Sequence, residues 1–262
     1  MVVGELEAVV AFDAGECGIG KARNDGLAWD TADVVDRRLL DDDDLHASAV
    51  VANCSMNRER QLAGVNSYAR ELGLDPLDVL RAAIARSGTG AWLDLCCGTG
   101  RALIQAAIAL RDEDLLPRAA ITGVDLVDAF AHRPVGLSSL QLLSSPVSAW
   151  MPSRSFDLIT CVHGLHYIGD KLAALTRAAS WLTSDGLLVA DLDLADISIA
   201  GQPASRRLSR ALRDAGFSYD FRRRRISRAG KLEAALPYLY IGADDRAGPN
   251  YTGQRSVASH YE

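Results

Sequence analysis

The sequence predicts an α/β fold: a doubly wound, mostly parallel sheet with an antiparallel C-terminal edge hairpin and a helical N-terminal cap. Three observations support this. From residue 90 onward, nearly unbroken apolar runs of strand length alternate with helical segments, the pattern of a parallel sheet covered on both faces. A glycine-rich turn follows the first apolar run, and residues 1–87 show helical or irregular patterns instead. We therefore divide the chain into a cap, residues 1–87, and a core, residues 88–262.

The cap contains an acidic run, residues 41–44, which we interpret as a solvated helix start because carboxylates are favoured at the positive end of a helix. Residues 45–72 follow a mostly helical pattern, with a break near Ser55, a plausible N-cap, and the pattern ends at Gly73. This stretch also offers several polar residues as possible pocket contacts: Asn57, Arg58, Arg60, Gln61, Asn66 and Tyr68. The pair Asp75-Pro76 is typical of an N-cap and first helical residue, so a further helix is predicted to run to about Arg86.

The core is predicted to alternate strands with helices. The predicted strands are "AWLDLC", "AAITGVDL", "LQLL", "FDLITCV" and "GLLVADLDL", with helices over 101–111, 170–182 and 203–215. Two later runs, "YDFRRRRIS" and "LPYLYIGA", are joined by a short connection and are predicted to pair as the edge hairpin. We expect the arginines at 222–225 to lie on that solvated or salt-bridged hairpin.

Composition excludes several classes of protein. The 262 residues are 48% hydrophobic and 24% charged, as in a soluble globular protein, and the net charge of −6 gives no general attraction to nucleic acid or anionic membranes. The five cysteines are odd in number and lack paired CxxC spacing, which argues against a disulfide framework or a zinc site. We expect a cytoplasmic monomer or homodimer with no metal, nucleic-acid or membrane partner.

The segment "LDLCCGTG", residues 93–100, supplies a strand end and a glycine turn ahead of a helix. Gly98 and Gly100 allow a sharp turn and a close approach of the backbone to a ligand. A dinucleotide-binding fingerprint would have a third glycine where this chain has Leu103, and no Gly-Lys-Ser/Thr triplet of a P-loop follows. Nicotinamide-dependent oxidoreduction is therefore disfavoured, and the two sulfurs of Cys96 and Cys97 are interpreted as packing groups.

The spacing Asp94-x-x-x-Gly98-x-Gly100 resembles motif I of the class I, Rossmann-like S-adenosylmethionine-dependent methyltransferases. The next strand ends in "ITGVDL", where that family keeps an acidic residue, and "SFDLITCVHGLHYIGD" is similar to its fourth-strand pattern. The resemblance covers roughly residues 88–195. It implies a methyltransferase with S-adenosylmethionine as its cofactor, in which the cap serves as a substrate lid.

The resemblance also implies a set of cofactor contacts. In the family, the residue equivalent to Asp94 holds the methionine end of the cofactor, and the equivalent of Asp125 holds the ribose, where one carboxylate can accept from both hydroxyls. Ser145 stands where the family often has an acidic residue for the adenine, and Pro146 would add apolar contact. The full predicted set is Asp94, Cys96, Gly98, Gly100, Asp125, Leu126, Ser145, Pro146 and Val162 with Tyr68 from the cap.

Two histidines follow the predicted fourth strand, which in the family flanks the transferred methyl group. His163 is a candidate general base. His166 falls on the family's Leu-His pattern, where the histidine commonly belongs to the scaffold, and it is the second catalytic candidate. Because the methyl group is already activated by the sulfonium, a base is needed only where the acceptor loses a proton early.

The resemblance implies methylation of an O or N atom of a small molecule, and family analogy suggests natural product biosynthesis as the setting. A peptide or protein acceptor, or an inactive cofactor-binding protein with a regulatory role, stays open. The Asn/Asp-Pro-Pro-Tyr/Phe signature of DNA amino-methyltransferases is absent, since the fourth strand here continues as Cys161-Val162-His163-Gly164. We also expect Tyr251 and Gln254, near the C-terminus, to border the acceptor pocket.

Overall fold

The structure, a computed structural model, describes residues 38–52, 59–233 and 235–262. Its helices and strands in chain order are α1 (Asp42–His46), α2 (Ala49–Ala52), α3 (Tyr68–Leu72), α4 (Pro76–Ser87), β1 (Gly90–Leu95), α5 (Arg101–Asp112), β2 (Ala119–Asp125), β3 (Leu140–Ser144), β4 (Phe156–Cys161), α6 (Lys171–Ser180), β5 (Leu182–Asp191), β6 (Ile197–Ile199), β7 (Gln202–Pro203), α7 (Ser205–Asp214), β8 (Ser218–Asp220), β9 (Arg225–Ala229), β10 (Tyr240–Asp244) and β11 (Ala258–Tyr261).

The described part of the cap confirms the predicted helix ends. Asp41 caps α1 by accepting from the backbone N–H of Asp44, and the remaining aspartates fill the first turn. The side chain of Asp75 accepts from the N–H of Leu77 to cap α4. Gly73 ends α3 in the left-handed conformation that glycine adopts at low cost.

The helical pattern predicted over 45–72 is confirmed only in part, and its predicted break near Ser55 lies outside the described residues. The described residues of that stretch form the end of α1, the separate helix α2 and, after a turn, α3. Residues 59–67 turn because the N–H of Gln61 donates to the carbonyl of Asn66, while the side chain of Ser67 caps α3 from an extended backbone. Local side-chain capping thus competes with helix propagation. Asn57 and Arg58, which the sequence also marked as possible pocket contacts, lie outside the described residues.

The central sheet has seven strands in the order β3-β2-β1-β4-β5-β9-β8. The first five strands of the chain run parallel, and β9 and β8 are antiparallel at the edge. The predicted fold class is therefore confirmed. Strand order reverses between β1 and β4, and in such sheets ligands bind outside the carboxyl ends of the strands at this switch point.

The edge hairpin is real, but its predicted strands were wrong. Both strands, β8 and β9, come from the first predicted run and its flanks, whereas "LPYLYIGA" supplies β10 of a second sheet with the order β10-β11-β6-β7. The carboxylate of Asp220 accepts from the N–H groups of Arg222 and Arg223 at 2.9 and 3.0 Å. This local turn chemistry places Arg222, Arg223 and Arg224 between the strands, and only Arg225 belongs to β9.

Helices cover both faces of the sheet. Leu93 of β1 belongs to the core formed with α6 and α7, whereas the neighbouring Trp92 belongs to the core formed with α4 and α5. This alternation follows from the period of two in a strand. In the described residues, we find no helix that combines the length and the apolar character needed to cross a bilayer.

Candidate functional site

The glycine turn between β1 and α5 is held against the end of β2. Cys96, Gly98 and Gly100 adopt positive φ angles of 58°, 59° and 69°. The N–H of Gly98 donates to Oδ2 of Asp125 at 2.8 Å. A side chain at Gly123 would disturb this packing, because an added Cβ would lie 2.5 Å from Cδ1 of Leu103 and 2.8 Å from the sulfur of Cys97.

The two cysteines of the turn differ in exposure. Cys97 is buried, and burial raises the pKa of its thiol well above the usual value. Its sulfur would lie 2.8 Å from a Cβ at Gly123, which identifies it as a packing group. Cys96 is partly exposed and lines the adjoining cavity. Cys97 therefore packs against the sheet at Gly123, and Cys96 forms part of the cavity wall.

Asp94 lies at the centre of a buried hydrogen-bond chain. Its Oδ2 accepts from the hydroxyl of Tyr68 at 2.6 Å and its Oδ1 from that of Thr160 at 2.5 Å. Trp92 Nε1 donates in turn to the Thr160 hydroxyl at 2.9 Å. Burial raises the pKa of Asp94 to about 7, opposed by the two hydroxyl hydrogen bonds and reinforced by Asp125. Two predicted site residues, Tyr68 and Asp94, are thus brought into direct contact.

A cavity of about 290 Å³ opens at the carboxyl ends of β1 and β2. Predicted cofactor residues that line it are Cys96, Gly98, Asp125, Leu126 and Pro146. Other predicted residues, Asp94, Gly100, Ser145, Val162 and Tyr68, lie outside its lining. The sequence therefore identified one wall of the cavity and part of the structure behind it.

Asp125 ends β2 at the cavity wall. Its Oδ2 accepts from Gly98, and its Oδ1 accepts from the N–H of Val127 at 3.1 Å. The carbonyl of Asp125 accepts from the N–H of Ser145 at 2.8 Å, which joins the ends of β2 and β3. These contacts fix the Asp125 carboxylate in the wall of the cavity.

The opposite side of the cavity is formed by residues that the sequence did not predict as site residues. The cap contributes Asp42, His46 and Val51, and the segment between β4 and α6 contributes Tyr167 and Gly169, among others. Burial raises the pKa of Asp42. The cap residues follow no recognisable motif, so their place in the wall depends on tertiary packing alone.

His163 directly follows β4 and is surrounded by polar groups. It adopts a positive φ of 57°. Its Nε2 lies 3.6 Å from Oε2 of Glu71, and its Nδ1 lies 3.8 Å from Oδ2 of Asp191. The hydroxyl of Tyr251 lies 3.4 Å from Nδ1, and Arg224 stacks over the Tyr251 ring at 4.4 Å. The side chain of His163 is only 5% exposed.

The carboxylates beside His163 have shifted pKa values for different reasons. The hydrogen-bonding contact with His163 lowers the pKa of Glu71 to about 2, with help from Arg60, whose Nη1 donates to Oε1 of Glu71 at 2.8 Å. Burial raises the pKa of Asp191. The cluster therefore combines Glu71 of α3, an ion-paired carboxylate with a lowered pKa, and Asp191 at the end of β5, a buried carboxylate with a raised pKa.

His166 is held by scaffold contacts. It is fully buried, its Nδ1 lies 3.3 Å from Oδ2 of Asp196, and its carbonyl accepts from the N–H of Val257 at 2.8 Å. Its ring stacks beside that of His163 with a centroid distance of 5.9 Å. It thus joins the segment after β4 to the second sheet.

Glu71 and Asp191 were missed by the sequence reasoning. Asp191 closes the apolar run "GLLVAD" at the carboxyl end of β5, so the argument that selected Asp94 and Asp125 could also have found it. Glu71 has no such signal, because it lies in a short polar helix 92 positions before His163. Tyr251, which we expect to border the acceptor pocket, lies against His163 and does not line the cavity of about 290 Å³.

The doubly wound sheet, the glycine turn after β1 and the carboxylate ending β2 define the class I, Rossmann-like methyltransferases. A family model described as a methyltransferase domain matches residues 66–231. The chain belongs to this methyltransferase family. A search of curated proteins found no match.

Several solved methyltransferase structures are similar to this chain. One is SAM-bound CalS10 from Micromonospora echinaspora, an amino pentose methyltransferase involved in calicheamicin biosynthesis, with 25% identity, coverage of 48% of this chain and 50% of that one, and a TM-score of 0.35. Another is the plantazolicin methyltransferase BpumL in complex with SAH, with 16% identity, coverage of 44% and 45%, and a TM-score of 0.34. A third is the sugar N-methyltransferase KedS8 from Streptoalloteichus sp ATCC 53650, with 24% identity, coverage of 43% and 45%, and a TM-score of 0.31. In each case the match spans half or less of the solved chain.

Proposed function

We propose that this methyltransferase transfers the methyl group of S-adenosylmethionine to an O or N atom of a small molecule, in natural product biosynthesis. The observation that carries the proposal is the cavity of about 290 Å³, which has the glycine turn on one side and the cap residues Asp42, His46 and Val51 on the other. A cavity with walls on both sides and this volume suits a small ligand better than an extended polymer.

The residues present fit the cofactor. Asp125 ends β2 in the cavity wall, and a carboxylate is the type of acceptor that the ribose hydroxyls require. Gly98 exposes backbone to the cavity, and Pro146 and Val147 offer an apolar surface for the adenine ring. Asp94 accepts a hydrogen bond from Tyr68 and opens the glycine turn, although its side chain does not line the cavity. When bound, the cofactor supplies a methyl group made electrophilic by the sulfonium.

His163 is the proposed general base, and His166 supports it from the scaffold. Both follow β4, beside the end of the cavity where Gly164 and Cys96 meet. A ring nitrogen of His163 would accept the proton of an acceptor hydroxyl or ammonium group. Low exposure of the imidazole excludes competing water, which strengthens its interaction with neighbouring charges.

The cofactor seat is tested by calorimetry with S-adenosylhomocysteine. Asp125→Ala is expected to weaken binding by about tenfold or more, the effect of losing about 1.4 kcal/mol. Asp128→Ala is the matched control, because Asp128 is an exposed aspartate three positions further along that does not line the cavity. Equal affinity of the two variants would contradict the ribose assignment.

The acceptor class is tested by following S-adenosylhomocysteine release with separate panels of small amines and phenols and of peptides. Turnover with a small amine or phenol supports the proposal, and His163→Ala should reduce it while leaving S-adenosylhomocysteine affinity unchanged. Turnover with peptides alone would assign the site to a peptide or protein acceptor instead.

A further inference from the structure

Three side chains from distant parts of the chain converge at His163. None of them lines the cavity, but Gly164, the residue after His163, does. Glu71 lies in α3, His163 follows β4, and Asp191 ends β5. Their ligand-type atoms all lie within 4.8 Å of one another. Such a cluster could serve either a metal ion or a charged imidazole, and the contacts around it distinguish the two.

The geometry favours an imidazole held between two carboxylates. The two closest approaches use opposite ring nitrogens, Nε2 toward Glu71 and Nδ1 toward Asp191, whereas one metal ion would bind a single ring nitrogen. Glu71 already receives the Arg60 guanidinium on Oε1. Asp191 already accepts from the backbone N–H of His163 at 3.3 Å. Guanidinium and N–H donors satisfy these carboxylates without a dication.

We propose that Glu71 and Asp191 are positioning residues for His163, and that α3 is the element that sets Glu71 in place. This inference rests on the proposed function, in which His163 is the proton acceptor. Asp191, which is 3% exposed, orients the ring from its buried Nδ1 side. Glu71, which is 34% exposed, lies beside Nε2 on the more open side and offsets the charge that the ring gains.

Several hydrogen bonds made by α3 fix the position of Glu71. Tyr68 and Glu71 are three positions apart on α3 and therefore share a face of the helix. Tyr68 is hydrogen-bonded to Asp94 of β1, Arg60 holds the Glu71 carboxylate, and Arg225 donates to the Glu71 carbonyl. Helix α3 thus contacts both Asp94, through Tyr68, and His163, through Glu71.

The other charged and titratable groups near His163 come from three further elements. His166 stacks on its ring, Tyr251 lies at Nδ1, and Arg224 stacks over Tyr251. In the proposed step, the acceptor atom bonds to the methyl group as the sulfonium becomes a neutral thioether. The acceptor proton passes to Nε2 of His163, and the resulting imidazolium lies between two carboxylates until it releases the proton to water. Charge and atoms balance without a further reactant.

The first test needs no acceptor. Nitrogen NMR of the imidazole in the full-length protein measures how much of His163 is charged at a fixed pH near neutrality, with assignment by His163→Ala. We expect Glu71→Gln and Asp191→Asn each to reduce the charged fraction at least twofold. Glu59→Gln and Asp185→Asn are the matched controls, from an exposed ion pair before α3 and from the exposed part of β5. Spectra of the Glu71 and Asp191 variants that equal the controls would overturn the proposal.

The second test separates positioning from folding and from cofactor binding. With an acceptor found in the panels above, Glu71→Gln should lower kcat about tenfold or more, change acceptor KM less than about threefold and leave the affinity for S-adenosylhomocysteine unchanged. Glu71→Asp should restore part of kcat. If His163→Ala retains full kcat, His163 is not the general base. The NMR comparison still tests separately whether Glu71 and Asp191 position the His163 ring. Stoichiometric Zn²⁺ or Mn²⁺ binding that both variants abolish would overturn the proposal in favour of a metal site.

Discussion

The hydroxyl of Tyr68 donates a 2.6 Å hydrogen bond to Oδ2 of Asp94, and both side chains are buried. This contact joins α3 of the cap to β1 at the residue that opens the glycine turn. Since Thr160 occupies the other carboxylate oxygen, the buried charge of Asp94 depends on two hydroxyl donors. The stability of the sheet and the placement of α3 are therefore coupled at one carboxylate.

Tyr68→Phe should destabilise the protein by about 1–3 kcal/mol, because it leaves one oxygen of a buried carboxylate without its donor. Chemical denaturation at neutral pH measures the loss. Tyr238→Phe removes the same atom from a tyrosine outside this network and should change the free energy of unfolding by less than about 0.5 kcal/mol. A Tyr68→Phe variant as stable as this control would show that the contact contributes nothing.

The pKa of Asp94, raised to about 7 by burial, predicts a pH dependence of stability. Between about pH 4 and pH 7 the folded protein keeps a proton that the unfolded chain releases. The free energy of unfolding contributed by this group is therefore fully present below about pH 4 and falls as pH rises through 7, by on the order of 4 kcal/mol. Asp94→Asn should remove this component, so denaturation at pH 5 and pH 8 should give a flatter profile than the wild type. Parallel profiles would contradict the shift.

The core strands and helices were predictable because their patterns are local. Buried parallel strands require apolar runs, and the glycine turn requires positive φ at Gly98 and Gly100. The helical pattern predicted over 45–72 has a further break at residues 59–67, because Ser67 caps a new helix. The predicted hairpin failed because Asp220 makes a tight turn inside what looked like one strand. In both places a short polar side chain overrode the apolar pattern.

The candidate site was predictable only where one segment carries the motif. Asp125 and Gly98 lie on the strand ends that the sequence marks, and they meet in a hydrogen bond. Glu71 precedes the motif region and His163 lies within it, yet the two side chains approach each other, and no periodicity or spacing encodes that contact. Asp94, a predicted cofactor contact, accepts hydrogen bonds from Tyr68 and Thr160, and no sequence motif indicates these two partners. Such partners follow from tertiary packing and not from a linear pattern.

Gly164 packs directly on the glycine turn, which predicts a specific coupling. A Cβ at this position would lie 2.3 Å from Cβ of Cys96 and 2.8 Å from the sulfurs of Cys96 and Cys161. Gly164→Ala should therefore destabilise the protein by about 1–3 kcal/mol. In a Cys96→Gly background the same change should cost less, since two of the three contacts are removed and Cys96 itself has a positive φ. Additive costs in the double-mutant cycle would contradict this packing.

Lys171 joins α6 to the second sheet through a buried ammonium group. Its Nζ donates to the carbonyls of Ile168 and Val257 at 3.0 and 2.7 Å and to the Ser259 hydroxyl at 2.9 Å. Lys171→Met leaves these acceptors without a donor and should destabilise the protein by about 1–3 kcal/mol at pH 7. Lys231→Met, at a half-exposed lysine, is the matched control.

The same lysine predicts a second pH effect. Burial lowers the pKa of Lys171 to about 8, from 10.5. Between these values the unfolded chain keeps a proton that the folded protein releases, so the contribution of Lys171 to the free energy of unfolding rises with pH across this window. The rise should be absent in Lys171→Met and present in Lys231→Met. Thermal denaturation at pH 8 and pH 10 distinguishes these outcomes.

Cys96 offers a direct test of where the cofactor lies. It is partly exposed and lines the cavity, whereas Cys97 and Cys161 are buried. Iodoacetamide should therefore modify Cys96 in the native protein faster than Cys97, whose thiol pKa is raised by burial. Saturating S-adenosylhomocysteine should slow the modification of Cys96 at least tenfold, as measured by peptide mass spectrometry, because the proposed ligand covers that wall. Equal rates with and without the ligand would place the cofactor elsewhere. Asp125→Ala should raise the ligand concentration needed for protection by about tenfold without exposing Cys97.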